Sequence, residues 1–118
     1  MTIMEAYEKL GGDYEDTIYR INENMLLRLI GLLLKDVNYA NICTALERHD
    51  YESAFRGAHT LKGVALNLGL TTLTEKASIL TEALRDRQEN ENIMPAFTEF
   101  REAYQNMHTT FSQLFASL

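Results

Sequence analysis

The sequence predicts an all-α protein, an antiparallel up-and-down four-helix bundle with short additional N-terminal helices, on three observations. Proline occurs once and glycine six times in 118 residues. Apolar residues recur at intervals of three and four. No stretch shows the strict alternation bounded by turn residues that marks a strand.

Each element follows from its end signals and its apolar spacing. A first short helix spans about Met4 to Leu10 and stops at Gly11-Gly12. Asp13 caps a segment from Tyr14 to Ile21. Asn22 caps another from Glu23 to about Lys35, with Met25, Leu26, Leu29, Ile30, Leu33 and Leu34 at its apolar positions and Gly31 as a mild weakness. Asn38 caps a segment to about Arg48, with Ile42, Cys43, Ala45 and Leu46 facing inward, and His49-Asp50 is a short turn. Asp50 is a good N-cap for a helix to about Leu68, which Gly69 ends. Thr71 or Thr72 caps the next, which carries Leu73, Ala77, Leu80 and Leu84 until the polar run Asp86 to Asn92 breaks the pattern. Asn92 caps the last helix. Its first turn tolerates Pro95, and Phe97, Phe100, Tyr104, Met107, Phe111, Leu114 and Phe115 line its inner face. Four long segments with short connections suit an antiparallel bundle, and the short N-terminal helices would cover one end.

Composition bounds the function. A chain of 118 residues with 46% hydrophobic content closes one core, so residues 1–118 read as a single domain. The net charge of −6 offers no uniform basic field for a phosphate backbone, so nucleic acid is not an expected partner. Gly11-Gly12 lacks both the preceding strand and the Lys-Ser/Thr ending of a phosphate loop, so neither ATP binding nor autokinase activity is expected. One cysteine, Cys43, forms no internal disulfide and is a poor start for a zinc site. There is neither a long apolar run nor a basic-then-apolar leader, so a cytoplasmic protein without a membrane partner is expected.

The Asp50 to Leu68 helix is the informative one. Ala54, Ala58, Leu61, Ala65 and Leu68 form one core-facing stripe. At about 100° per residue, His59 projects roughly 140° from the centre of that stripe, toward solvent. On the same face stand Phe55 and Gly63 one turn away, Arg56 and Lys62 three positions away, and Glu52 and Leu66 two turns away. Lys62 supplies a flexible ammonium, Gly63 removes a side chain that would block an approaching partner, and Phe55 and Leu66 offer apolar docking surface. A glycine inside a helix costs roughly 1 kcal/mol against alanine, so Gly63 asks for a reason. Geometry alone leaves a plainer alternative. In it His59 is an ordinary exposed residue, Lys62 a solvated charge, and Phe55 and Leu66 the wide edge of a core stripe.

The string His59-Thr60-Leu61-Lys62-Gly63, followed by Val64-Ala65-Leu66-Asn67-Leu68-Gly69, is more specific. It resembles the signature of the histidine-containing phosphotransfer (HPt) family, in which His-x-x-Lys-Gly precedes a small and apolar run and a second glycine at the helix end. The resemblance extends to Leu10-Gly11-Gly12-Asp13, the Asp50 turn, the Thr71 to Arg85 helix and the final helix. It implies that His59 is the phosphoacceptor through Nε2, that Lys62 steadies the phosphoryl oxygens and that Gly63 clears the approach, with Gly69 structural. One departure stands out: family members often carry a glutamate directly after the position of Leu80, where this chain has Thr81 and then Glu82.

The resemblance further implies a phosphocarrier rather than an enzyme, a phosphorelay intermediate between receiver-domain aspartates in two-component signal transduction. Its partners would be response-regulator receiver domains and a hybrid histidine kinase; helix geometry offers Glu52, Phe55, Arg56 and Leu66 as docking residues, and four or more apolar stripes in one chain favour a monomer. No cofactor is expected on this chain, since Mg²⁺ would come with the receiver. His49 and His108 are not followed by Lys-Gly and read as boundary or surface residues. No histidine has a glutamate three residues before it, which argues against a di-iron site. The competing readings are a non-catalytic adaptor, the histidine-bearing module of a larger kinase, and a dimerising kinase core.

Overall fold

The computed structural model describes residues 1–118 as seven helices and no strand: α1 Ile3–Lys9, α2 Tyr14–Arg20, α3 Glu23–Leu34, α4 Asn38–Glu47, α5 Tyr51–Asn67, α6 Thr71–Ala83 and α7 Ile93–Ala116. Helices α4 to α7 form the bundle: α5 packs between α4 and α6, and α6 packs on α7. Tyr39 of α4 closes the ring by stacking on Tyr104 of α7, with centroids 4.2 Å apart and planes within 4°. Helix α3 is an addition to the bundle. It lies against α7, where Phe115 sits beside Gly31.

One continuous cluster of buried side chains runs from Ile3 in α1 to Leu114 in α7. The stripe expected on α5 is buried throughout, at Ala54, Ala58, Leu61, Ala65 and Leu68. Its small residues let the neighbouring helices approach closely. Gly57 sits close against α4, since a Cβ there would stand 2.7 Å from Ile42 Cγ1. The stripe of α7 is likewise buried from Phe97 to Leu114, with Phe115 half-exposed.

The helix starts show where side-chain caps act and where they do not. Asp13, Asn22 and Asp50 accept bonds from Asp16, Met25 and Ser53 N–H at 3.1, 2.9 and 3.1 Å, as their positions lead one to expect. Asn38 and the Thr71/Thr72 pair do not act as caps. Val37 and Leu70 occupy those cap positions, and neither has a side chain that accepts a hydrogen bond. Asp36 Oδ1 accepts the Asn38 N–H at 2.7 Å instead. Leu70 is drawn into the core and is 1% exposed, so α6 begins before the polar signal. Asn92 is in the cap position of α7, but its backbone is already near-helical and its side chain makes no capping bond. Met25, expected among the inner positions of α3, is exposed, because its buried stripe is Leu26, Ile30 and Leu33.

Helices α1 and α2 seal the end of the bundle at which α5 finishes. Gly69 takes a left-handed conformation, φ +66°, and turns the chain into α6. The last carbonyls of α5 would otherwise lack partners. Tyr7 donates its hydroxyl to Leu68 O at 2.7 Å, Thr17 Oγ1 reaches the same oxygen at 3.3 Å, and Arg20 donates twice to Asn67 O at 3.3 Å. Asp13 N–H donates to Gly69 O at 2.8 Å. Burial pushes the Tyr7 phenol above its ordinary range, so it remains a donor.

Candidate functional site

His59 stands at the midpoint of α5 and is exposed. Both ends of that helix are fixed. At the start, His49 adopts φ 56° and reverses the chain after α4, so that Asp50 N–H reaches Ala45 O at 2.8 Å. The Asp50 carboxylate then accepts from both Ser53 N–H and Ser53 Oγ, bonds that hold its carboxyl below the usual range. At the far end the bonds from α1 and α2 hold the last turn. The imidazole is therefore carried on a helix with little freedom to fray.

Around His59 the structure places the candidate residues unevenly. Lys62 is half-buried beside α6, where its charge helps Arg85 hold the Glu82 carboxyl below its ordinary value. Gly63 is exposed, and a Cβ added there would meet no atom within 4 Å. Its contrast with Gly57 is direct: Ile42 explains one glycine, and no contact within the chain explains the other. Leu66 is 61% exposed, an apolar side chain in open view.

Phe55 requires a correction. Read as a docking side chain, it is instead buried, 8% exposed, with its ring centroid 6.0 Å from that of His59. What covers it comes from the connection after α6. The Arg87 guanidinium lies over the ring at 4.0 Å and that of Arg85 at 5.8 Å. Phe55 is thus an underlay of the site, with the Arg87 guanidinium above it.

Glu52 and Arg56 are tied into the same arrangement. Glu52 Oε1 accepts from Arg56 Nε at 2.9 Å and Glu52 Oε2 from Arg87 Nε at 3.1 Å. Arg87 Nη1 donates to Arg85 O at 2.7 Å, and Arg85 Nε donates to Glu82 at 3.0 Å. Thr81 is buried and donates to Ala77 O at 2.7 Å, which leaves Glu82 to make the surface pairs. Glu82 and Arg85 stand three residues apart across the end of α6, one on the helix and the other just beyond it. Nothing in the local sequence brings Arg87 onto Phe55.

The comparison with known families now has a geometry to rest on. The family model of the Hpt domain matches residues 36–110, well over half of the chain. The chain belongs to the Hpt domain family. The match spans nearly all of the four-helix bundle, from α4 into the second half of α7. No curated protein and no solved structure matched the chain. Hpt domains are phosphocarrier modules for histidine phosphotransfer in two-component signalling, working with receiver and kinase partners. No helix of this Hpt domain is long and apolar enough to cross a membrane.

The other two histidines of the Hpt domain sit apart from this arrangement. His49 Nδ1 lies 3.0 Å from Tyr51 Oη in the α4–α5 turn. His108, exposed on α7, lies near Ser112 and the ring of Tyr104.

Proposed function

We propose that this Hpt domain is a phosphorelay intermediate that accepts a phosphoryl group on His59 from a receiver-domain aspartate and passes it to another receiver. The observation that carries the proposal is an exposed imidazole at the centre of a doubly anchored helix, one turn from a glycine that no internal contact requires. A neutral imidazole, whose ordinary pKa is about 6.5, is a competent nucleophile near neutral pH. In the step envisaged, the Nε2–P bond forms as the P–O bond to the receiver's carboxylate breaks in line with it. The electron pair departs with that carboxylate. Mg²⁺ belongs to the receiver, so this chain supplies position and charge, which are the main requirements of phosphoryl transfer.

Gly63 gives the proposal a test with two signs. Gly63→Ala should raise stability by about 1 kcal/mol, because alanine is the better helix former and meets no obstacle. The same variant should accept phosphate from a receiver more slowly, because a methyl group now stands in the approach. Urea unfolding and a time course of label transfer read the two effects separately. If transfer keeps pace with the wild type, Gly63 has no part in access.

Lys62→Ala should slow transfer or shorten the phosphohistidine lifetime without abolishing acceptance. Its ammonium assists the phosphoryl oxygens but makes no bond in the reaction. Unchanged rate and lifetime would remove Lys62 from the site. The experiment that tests the whole proposal is incubation with a phosphorylated receiver and Mg²⁺, comparing the wild type with His59→Gln.

A further inference from the structure

The pairs around His59 form two strings, Arg56–Glu52–Arg87 and Arg85–Glu82, joined where Arg87 Nη1 donates to the Arg85 carbonyl, with Lys62 acting on Glu82. Four cations and three carboxylates, Asp86 beside Arg85 included, stand here in a chain whose formal charge is −6. Arg87 is the member whose placement needs explanation. Its φ of 52° lies in the left-handed region, which a residue with a Cβ rarely adopts. Glu52, the Arg85 carbonyl and the face of Phe55 hold it there. The result is a guanidinium fixed above the ring that adjoins His59.

We propose that Arg87 is a docking residue for the anionic face of the phosphorylated receiver, held in place before the encounter by Glu52 and Phe55. The inference rests on the carrier reading of His59 and adds to it the residue that recognises the donor. An acyl phosphate and the carboxylates that hold its divalent cation are anionic, a charge that the cation reduces. A chain of net charge −6 repels such a surface at long range. A prefixed guanidinium offsets that repulsion at the point of contact and loses little freedom on binding. Rim charges of this kind act mainly on association and its salt dependence.

The test measures the second-order rate of label transfer from a phosphorylated receiver with Mg²⁺, at low and high salt, together with binding of the same receiver to each variant. Arg87→Ala should lower the low-salt rate by about fivefold, with the deficit shrinking as salt screens the charge. Arg87→Lys should recover much of the loss. Arg87→Gly suits the backbone at φ 52° and should lose rate as the alanine variant does while remaining folded. A low-salt rate for Arg87→Gly equal to the wild type's, or a deficit that salt does not change, would overturn the proposal. Wild type that binds the receiver in an Arg87-dependent, salt-sensitive way yet takes no label would uphold Arg87 and overturn the carrier reading. Wild type that neither binds nor takes label would overturn both.

Discussion

His59→Gln is expected to abolish phosphoryl acceptance while leaving the bundle intact. The side chain is exposed, and its aromatic neighbour is Phe55 at 6.0 Å, so glutamine should change stability by less than about 0.5 kcal/mol. Glutamine retains polarity and length but has no ring nitrogen to attack phosphorus. The effect should therefore be complete in transfer and negligible in the unfolding curve. The measurement is an acid-labile, alkali-stable label on the wild type that is missing from the variant, with circular dichroism to show equal helix content. Label of equal intensity on His59→Gln would move the acceptor elsewhere, and His49 and His108 would be the next substitutions.

Gly69→Ala should have the largest effect on stability, a loss of about 3–5 kcal/mol from a total that in domains of this size is about 5–15 kcal/mol. Two costs combine. Alanine disfavours φ +66°, and its Cβ would stand 1.8 Å from Thr17 Oγ1 and 3.1 Å from Asp13 O. Thr17 cannot simply withdraw, because its hydroxyl donates to Asp13 O at 2.7 Å and reaches Leu68 O at 3.3 Å. Relief of the clash would unseat α2 from the end of α5. Urea unfolding should show the midpoint falling sharply for Gly69→Ala and rising for Gly63→Ala. A midpoint unmoved by Gly69→Ala would mean that this junction gives way without cost.

These two glycines also show what a sequence can say. Both stand in the string that carries the family resemblance, and both were readable as special. Their reasons differ: one is the left-handed turn before α6, the other an open face. The buried stripe of α5 and the outward direction of His59 were legible because both follow from helical periodicity alone. Phe55 was not, since the Arg87 that lies over its ring arrives from a connection more than thirty residues later. No propensity predicts an arginine at φ 52°. The missed caps fail for a similar reason. Leu70 takes the cap position because the core claims it, and a local preference for threonine yields to burial. The interplay of Glu52, Arg85 and Arg87 is likewise a product of the closed fold.

The bonds that finish α5 have a consequence in time as well as in space. Tyr7, Thr17 and Arg20 reach back to Leu68 and Asn67 across 61, 51 and 47 residues of chain. Contacts so distant in sequence close late, after local helices have formed and a large loop has been drawn in. During refolding, α5 should therefore acquire its helix early and its final turn late. The histidine would be in position before the far end of its own helix becomes protected from hydrogen exchange. A fragment of residues 36–110 would carry the signature string yet lack the Tyr7, Thr17 and Arg20 bonds that seal the last turn of α5.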